Sequence, residues 1–325
     1  MTDQEKKMDA FGGVSNLLQP RAFLDMREWI NTLRSEGELQ EIDVEVDWDC
    51  ELGTITRKVF GTGEGPALLF KNIKGYNHTA SRCSQLFTGG MSNFSRIAMT
   101  LGLPKEASVR DMVQATRYYL GQRVSPVEIE TGPVKENVLT KGQINLFDFP
   151  VPKWHREDGG RYINTFQATV TMDPDTGVHN LGIYRGMIGQ KDTLPVLLWR
   201  AQNWGVHFQK WADRGQKMPV AHVYGWEPSL AFCASAPVPT GVSEYDVMGA
   251  IRGKPVELVK CETSDLMVPA TAEIVIEGFI DPDPSTFEME GPFGEYTGYF
   301  GGDQGPKHVT RGAFQCSSKI SETSP

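Results

Sequence analysis

The first 120 residues alternate segments of helical and strand-like hydrophobic pattern. Residues 20–37 place apolar side chains three or four positions apart and end at Gly37, which predicts a helix. Residues 39–47 alternate apolar and acidic side chains imperfectly, as a half-exposed strand does. The same reasoning predicts a helix at 50–60, a buried strand at 66–73 and a helix at 108–120, with Ser108 and Asp111 as its capping box. This order indicates an N-terminal α/β domain over residues 1–125.

The pattern changes in the second half, where apolar segments shorten and turn signals multiply. Residues 162–189 predict two strands joined by an Asp-Pro-Asp-Thr-Gly turn. Further short strands are predicted at 195–200, 221–226 and 272–280, with a helix at 206–219 that Gly215 closes. We expect a barrel or sandwich with inserted helices over residues 126–310, and a polar tail at 311–325. The predicted class is therefore α+β.

Composition narrows the range of functions. The 325 residues carry a formal charge of −9 with no strongly basic segment, which argues against nucleic acid as a partner. Five widely spaced cysteines without a CxxC pair favour reduced thiols in a cytoplasmic protein. The N-terminus is polar, and no run of about 18 apolar residues occurs. We expect a protein of the cytoplasm with no membrane association.

Oxygen-bearing side chains suggest a metal site. Asn180 follows the predicted turn, and Glu244 opens a helical segment. Mn²⁺ and Mg²⁺ bind carboxylate and amide oxygens and complete their shells with phosphate or water. A turn amide for Asn180 and a helix-start acid for Glu244 are the structural alternatives, and spacing alone leaves both open.

Acid–base chemistry points to Glu290 and Glu295, which only Gly-Pro-Phe-Gly separates. Two carboxylates in one site drive their pKa values apart, so that one holds a proton while the other stays ionised. Arg185 lies in an apolar setting and needs an anionic partner. A solvated loop for the glutamates and an interdomain salt bridge for Arg185 are the alternatives.

Two other patterns carry less. The glycine-rich segment 61–65 lacks the G-x-G-x-x-G spacing and predicts a surface turn. Ser243 and His207 have no G-x-S-x-G motif nearby, which argues against a serine hydrolase.

Several longer motifs occur together in order. They read HNLGIYR, PVPTGVSEYDVMGAIRGKPVELVKC, DLMVPATAEIVIEG and EGPFGEYTGY, preceded by GPVKENV, FDFPVP and EDGGRYI. In order and wording they are similar to the UbiD family of reversible carboxylases and decarboxylases. The likeness extends from about Leu24 to Gly302.

The resemblance implies prenylated FMN as cofactor, a divalent metal (Mn²⁺ or Mg²⁺) that holds its phosphate, and a nearby K⁺. It implies a split β-barrel like that of flavin reductases after the α/β domain. Asn180 and Glu244 match the family's metal ligands, and Arg185, Glu290 and Glu295 match its catalytic set. Asn203 aligns with a third metal ligand that is histidine in some members; His207 would replace it only in a gapped alignment. The flavin contacts implied are Ile183, Tyr184, Arg185, Leu198, Trp199, Arg200, Gln202, Asn203, Trp204 and Glu244.

The resemblance also implies an activity, namely decarboxylation of an aromatic, heteroaromatic or α,β-unsaturated acid. Arg185 would position the carboxylate, and Glu295 would protonate the carbon that lost CO₂. A flavin prenyltransferase would supply the cofactor. Family chains continue beyond this one, so we expect the C-terminal domain to be absent, and a homo-oligomer where it is present. The alternatives are an inactive flavin-binding fragment and, less favoured, an ordinary flavin reductase.

Overall fold

In the first part of the chain, the described residues form four α-helices and a three-stranded sheet. The computed structural model describes residues 13–78, 82–139, 142–301, 305–311 and 314–316. The elements are α1 (Met26–Ser35), β1 (Leu39–Ile42), α2 (Glu51–Phe60), β2 (Ala67–Phe70), β3 (Leu86–Thr88), α3 (Phe94–Thr100) and α4 (Val109–Leu120). β1 pairs in parallel with β2, across the connecting α2, and β3 pairs antiparallel to β2. The helices and strands predicted here are confirmed, although the strands are shorter than predicted.

Local capping signals explain where these helices begin and end. The Asp25 side chain accepts a hydrogen bond from the N–H of Glu28 (3.0 Å) at the start of α1. Gly37 follows the helix with a φ of 73°, which favours glycine. At α4, Ser108 and Asp111 form the predicted capping box.

The second part of the chain contains most of the strands. Its elements are β4 (Val127–Glu128), β5 (Asn137–Leu139), β6 (Tyr162–Asn164), β7 (Ala168–Met172), β8 (His179–Gly182), β9 (Gly186–Met187), β10 (Thr193–Pro195), α5 (Asn203–Asp213), β11 (Met218–Tyr224), α6 (Pro228–Ser235), α7 (Glu244–Arg252), β12 (Glu257–Lys260), β13 (Met267–Pro269), β14 (Ile274–Ile280), β15 (Glu288–Glu290), β16 (Phe293–Gly294), β17 (Phe300–Gly301), β18 (Gly305–Lys307), β19 (Val309–Arg311) and β20 (Phe314–Cys316).

Eight of these strands form one antiparallel sheet. Six follow the order β10-β19-β14-β11-β7-β8, and β20 joins β14 to β5. The predicted α+β class is confirmed. In the described part of the chain the strands form an open sheet and do not close into a barrel.

The predicted hairpin in residues 162–189 is confirmed as β7 and β8. The two strands pair from Met172 opposite His179 to Thr169 opposite Gly182. Gly177, with a φ of 75°, closes the turn through its N–H, which donates to the C=O of Asp173 (2.8 Å). The β7–β8 ladder stops after Gly182, and β9 pairs with β6 in a separate sheet, which leaves Arg185 in the break between β8 and β9.

Helices cover both faces of this sheet. Val223 and Val275 are opposite one another and pack with α6 and α7, while Met218 and Ile280 pack on the other face with α5. β8 lies at the end of the strand order and contacts both α5 and α7. Residues at the starts of these two helices can therefore meet at β8.

Part of the polar tail predicted at 311–325 lies in strands instead: Arg311 ends β19, and residues 314–316 form β20. The strand is held by pairing with β14 and β5, which lie far away in the sequence. Side-chain polarity does not reveal such backbone pairing. Residues 317–325 lie outside the described part of the chain. Among the helices described, none is long and apolar enough to cross a membrane.

Candidate active site

Glu290 and Glu295 stand at the two ends of a tight turn. Glu290 ends β15, the Gly291–Pro292 peptide is cis, and β16 pairs with β17 in a hairpin. The N–H of Glu295 donates to the C=O of Tyr299 across the hairpin (2.9 Å). Backbone structure therefore holds both carboxylates, and the solvated-loop alternative is wrong for Glu290, which is fully buried.

Arg185 lies between the two glutamates and binds both. Its Nε and Nη2 donate to the two carboxylate oxygens of Glu290, each at 3.1 Å. Its Nη1 donates to Oε1 of Glu295 at 2.6 Å. The bidentate pair fixes the plane of the guanidinium, and Glu295 occupies the remaining nitrogen.

Burial separates the roles of the two glutamates. The Glu290 side chain is 0% exposed and that of Glu295 is 37% exposed, with Arg185 at 10% between them. Burial lowers the pKa of the Arg185 guanidinium, but hydrogen bonds and charge attraction to Glu290 outweigh it and leave the pKa above its usual value. Glu290 is therefore a buried counter-ion of Arg185, whereas the Glu295 carboxylate is accessible to solvent and to a bound ligand.

Tyr162 completes the surroundings of Glu290. Its hydroxyl donates to Oε1 of Glu290 at 2.8 Å. Burial, then the charge of Glu290, raises the pKa of Tyr162 above its usual value, so the hydroxyl keeps its proton. The Tyr162 ring packs on Phe293 with centroids 4.3 Å apart, and Phe293 also lies below the Arg185 guanidinium.

The Asp158 loop holds the turn from the other side. One oxygen of the buried Asp158 carboxylate accepts the N–H of Gly294 (2.8 Å), and the other accepts the N–H of His155 (2.8 Å). The next residue, Gly159, donates to the C=O of Pro292 (2.8 Å). A Cβ at Gly159 would lie 2.1 Å from the carbonyl oxygen of Gly291, so only glycine fits there.

The three predicted metal ligands come together at β8. Nδ2 of Asn203, the first residue of α5, donates to Oδ1 of Asn180 in β8 (2.7 Å). Glu244, the first residue of α7, accepts the N–H of Leu181 at 2.8 Å. The residues that the structure describes contain no group of three or more His, Cys, Asp or Glu able to hold a metal. The predicted set instead combines one carboxylate with two amides.

The environment of Glu244 fits a cation. Its side chain is buried and makes no ion pair with any described residue. Burial raises the pKa of Glu244 to about 7, against the lowering effect of backbone hydrogen bonds. A divalent cation would compensate this charge. The start of α5 lies beside it with no side-chain cap and no acid in its first turn, which suits a phosphate.

The predicted flavin contacts divide into exposed and buried groups. Trp199, which is 59% exposed, begins a run of five exposed residues that ends at Asn203 and contains Arg200 and Gln202. By contrast, Tyr184 and Trp204 are buried and stack with centroids 4.2 Å apart. Their stacked rings lie in the core, where the Tyr184 hydroxyl accepts a hydrogen bond from Nδ2 of Asn180 (3.3 Å). Ile183 and Leu198 are half-buried.

Two residues weighed as catalytic or metal-binding have structural roles. Ring nitrogen Nδ1 of the buried His207 lies 2.9 Å from the hydroxyl of Thr171, and burial lowers the pKa of this histidine. Ser243 caps α7, where its hydroxyl accepts the N–H of Tyr245. Neither geometry supports a serine hydrolase.

Sequence reasoning left Glu288 without a role and passed over Asp158 and Tyr162. Glu288 accepts hydrogen bonds from the Gln190 amide (3.2 Å) and the Thr193 hydroxyl (2.8 Å), which anchor β15 beside β10. Asp158 and Tyr162 lie within the EDGGRYI motif, which was the available signal. Their partners lie about 130 positions away, so the motif alone could not name their role.

Comparison with known proteins identifies two family models. The 3-octaprenyl-4-hydroxybenzoate carboxy-lyase N-terminal domain matches residues 30–116, and the Rift-related domain of the same carboxy-lyase, UbiD, matches residues 125–311. Pyrrole-2-carboxylic acid decarboxylase of Pseudomonas aeruginosa is 37% identical over 86% of this chain and 56% of its own length. Ferulic acid decarboxylase 1 of Saccharomyces cerevisiae is 35% identical over 87% and 57%.

A solved structure of a UbiD-class enzyme is also similar to this chain. The UbiD-class enzyme HmfF from Pelotomaculum thermopropionicum, in an evolved dimeric form with prFMN, is 31% identical with a TM-score of 0.81 over 90% of this chain and 65% of its own. The chain spans just over half the length of the two curated relatives. Because the second family model alone covers more than half of the chain, this protein belongs to the UbiD family.

Proposed function

We propose that this chain carries the cofactor site and the catalytic residues of a prenylated-FMN-dependent decarboxylase. The substrate would be an aromatic, heteroaromatic or α,β-unsaturated carboxylic acid, and the reaction would be reversible. The observation that carries the proposal is Arg185 held between a buried Glu290 and a partly exposed Glu295. The activities named for two relatives, on pyrrole-2-carboxylic and ferulic acid, support the substrate class.

The residues at β8 fit the cofactor and its metal. Glu244, Asn180 and Asn203 would supply oxygen ligands to Mn²⁺ or Mg²⁺, and the open start of α5 would receive the phosphate. The exposed run from Trp199 to Asn203 would line the flavin. When bound, prenylated FMN supplies an electron sink for the pair left behind by CO₂. A K⁺ near the metal and a flavin prenyltransferase as supplier belong to the same proposal.

Arg185 would orient the substrate carboxylate. Glu290 engages Nε and Nη2 and keeps the guanidinium from turning, so the charge presented to the ligand is fixed in place. A substrate carboxylate would compete with Glu295 for Nη1, and its arrival would free the Glu295 side chain.

Glu295 would then deliver the proton. Among the side chains of Arg185, Glu290 and Glu295, that of Glu295 is the most exposed, and it stands on a hairpin turn beside Arg185. In the carboxylation direction the same carboxylate would remove the proton, because the forward acid is the reverse base. We therefore assign Glu295 as general acid and base, and Arg185 and Glu290 as the positioning pair.

The Glu295→Gln variant tests this assignment. The protein is produced together with a flavin prenyltransferase, and CO₂ release is measured with a panel of aromatic and cinnamic-type acids. We expect Glu295→Gln to retain the bound cofactor and to slow CO₂ release by about 10²- to 10⁴-fold, because amides do not donate protons in this way. Glu288→Gln is the control, since the Glu288 carboxylate accepts hydrogen bonds from Gln190 and Thr193 and lies outside the Arg185–Glu290–Glu295 set. A normal rate in Glu295→Gln would refute the assignment.

An inactive flavin-binding protein is the second candidate. It predicts bound flavin without CO₂ release from any acid. A flavin reductase would instead carry unmodified FMN and oxidise NAD(P)H. The ion pairs of Arg185 with Glu290 and Glu295 would have no role in that reaction.

A further inference from the structure

A cavity separate from the Arg185 site lies between the two parts of the chain. It measures about 640 Å³ and is bounded by β3 and α1 on one side and by α6 and the end of β11 on the other. Aromatic rings form much of its wall, among them Trp29, Phe60, Trp154, Phe166 and Trp226. Pockets of about 300 to 1,000 Å³ with such walls hold small organic ligands.

The cavity is close to the Arg185 site but separate from it. Tyr162 and Phe293 line it, and these two residues also contact Glu290 and Arg185. Arg185, Glu290 and Glu295 do not line it themselves. One layer of aromatic rings therefore separates the two spaces.

The charged groups at the wall are acidic. Glu227 and Glu273 line the cavity, and no Lys or Arg occurs among the described residues around it. Glu227 is paired with Arg252 (3.1 Å), whereas the Glu273 carboxyl is attracted by the charge of Arg27, which does not line the cavity. Burial raises the pKa of Glu273 to about 7, so this carboxyl is available as a hydrogen-bond partner inside an apolar wall.

We propose that this cavity binds an uncharged aromatic molecule and excludes carboxylates. An acid placed there would lie beside Glu273 with no Lys or Arg on the described cavity wall, whereas a phenol or pyrrole ring would pack on the aromatic wall and hydrogen-bond to the Glu273 carboxyl. Resting on the proposed function, the natural ligand is the decarboxylated product, which has lost the group that Arg185 holds. The cavity would receive the product and Arg185 the acid.

Binding of phenol and 4-hydroxybenzoate, which differ only in the carboxylate, tests this inference. Affinities for the full chain are measured by tryptophan fluorescence and ligand-observed NMR, without turnover. Ala231→Phe adds a ring to the cavity wall on α6, and Val113→Phe adds one at an exposed position of α4 as the control. We expect Ala231→Phe to weaken phenol by about tenfold or more and to leave 4-hydroxybenzoate unchanged. Val113→Phe should alter neither.

Glu273→Gln provides an arm that preserves the shape of the wall. Because the carboxyl is removed, 4-hydroxybenzoate should bind Glu273→Gln more tightly than it binds the wild type. Adding Ala231→Phe to Glu273→Gln should abolish this gain. The inference would be overturned if Ala231→Phe left the affinity for phenol unchanged. It would also be overturned if Ala231→Phe weakened 4-hydroxybenzoate as much as phenol. If Ala231→Phe fails to fold, absence of any acid gain in Glu273→Gln overturns it. Because no catalysis is measured, failure of the decarboxylase proposal leaves phenol binding standing, and the reverse also holds.

Discussion

At the scale of single residues, the site depends on how differently two glutamates are placed around one arginine. Glu290 is buried and bound through both oxygens, and Glu295 is partly exposed and bound through one. Removing one partner of a buried ion pair leaves an uncompensated charge, whereas an exposed pair contributes little to stability. The Arg185 guanidinium therefore stabilises the fold through Glu290 and, under the proposed function, also binds the substrate.

This difference predicts that substitution of Glu290 lowers the free energy of unfolding much more than substitution of Glu295 does. Glu290→Ala should lower the free energy of unfolding by about 3 kcal/mol, because Arg185 and the Tyr162 hydroxyl lose their shared partner. Glu295→Ala should cost about 0–1 kcal/mol. Urea denaturation of both variants provides the measurement, and equal losses would contradict the assigned roles.

Glu273 gives a pH dependence whose sign follows from its surroundings. Burial raises its pKa in the folded protein to about 7 from a usual value of 4.5, so the folded state binds the proton more tightly than the unfolded state does. Its contribution to stability is present below pH 4.5 and is lost as pH rises through 7. Relative to wild type, Glu273→Gln should gain about 1–3 kcal/mol between pH 5 and pH 8. A difference that stays constant over this range in urea denaturation would contradict the raised pKa of Glu273.

At the scale of elements, local signals were readable from the sequence and distant pairings were not. The capping box of α4 and the β7–β8 hairpin depend on residues within a few positions of each other, and both were predicted correctly. The sheet order and β20 depend on strands far apart in the chain, which hydrophobic pattern does not specify. Arg185 was placed in a strand, whereas it occupies the break where the ladder stops.

The site shows the same division. Residue types and motif resemblance named Arg185, Glu290 and Glu295, but their mutual distances came only from the fold. Asp158 acts through two backbone N–H groups, one of them 136 positions away, so no spacing rule could reveal it. Trp204 was named as a flavin contact, yet its ring stacks on Tyr184 inside the core.

The Asp158 loop yields a prediction at this scale. Asp158→Ala removes the acceptor of the Gly294 N–H, next to Glu295, and leaves that buried donor unpaired. We expect a loss of about 1–3 kcal/mol in stability and, with the cofactor bound, a lower kcat with little change in KM. Glu157→Ala, at the exposed neighbouring position, is the matched control. An unchanged kcat in Asp158→Ala would show that the loop does not position Glu295.

At the scale of the whole molecule, helices on two faces of one open sheet converge on its β8 edge. α5 and α7 both begin there, which brings Asn203 to Asn180 and Glu244 to the N–H of the next residue, Leu181. The segment after β8 carries Arg185 toward the Glu290–Glu295 turn. The proposed metal-and-phosphate site and the proposed acid–base site thus lie on one strand and its continuation. This arrangement is the basis for placing a single cofactor across both.

Cofactor identity tests that placement most directly. The protein is produced with a flavin prenyltransferase, purified, and examined by native mass spectrometry and absorbance, with Glu244→Ala as the comparison. We predict one prenylated FMN and one divalent metal per chain in the wild type, and loss of both in Glu244→Ala, because that carboxylate is the only one in the predicted metal set. Unmodified FMN, or a wild type that binds neither flavin nor metal, would contradict the account.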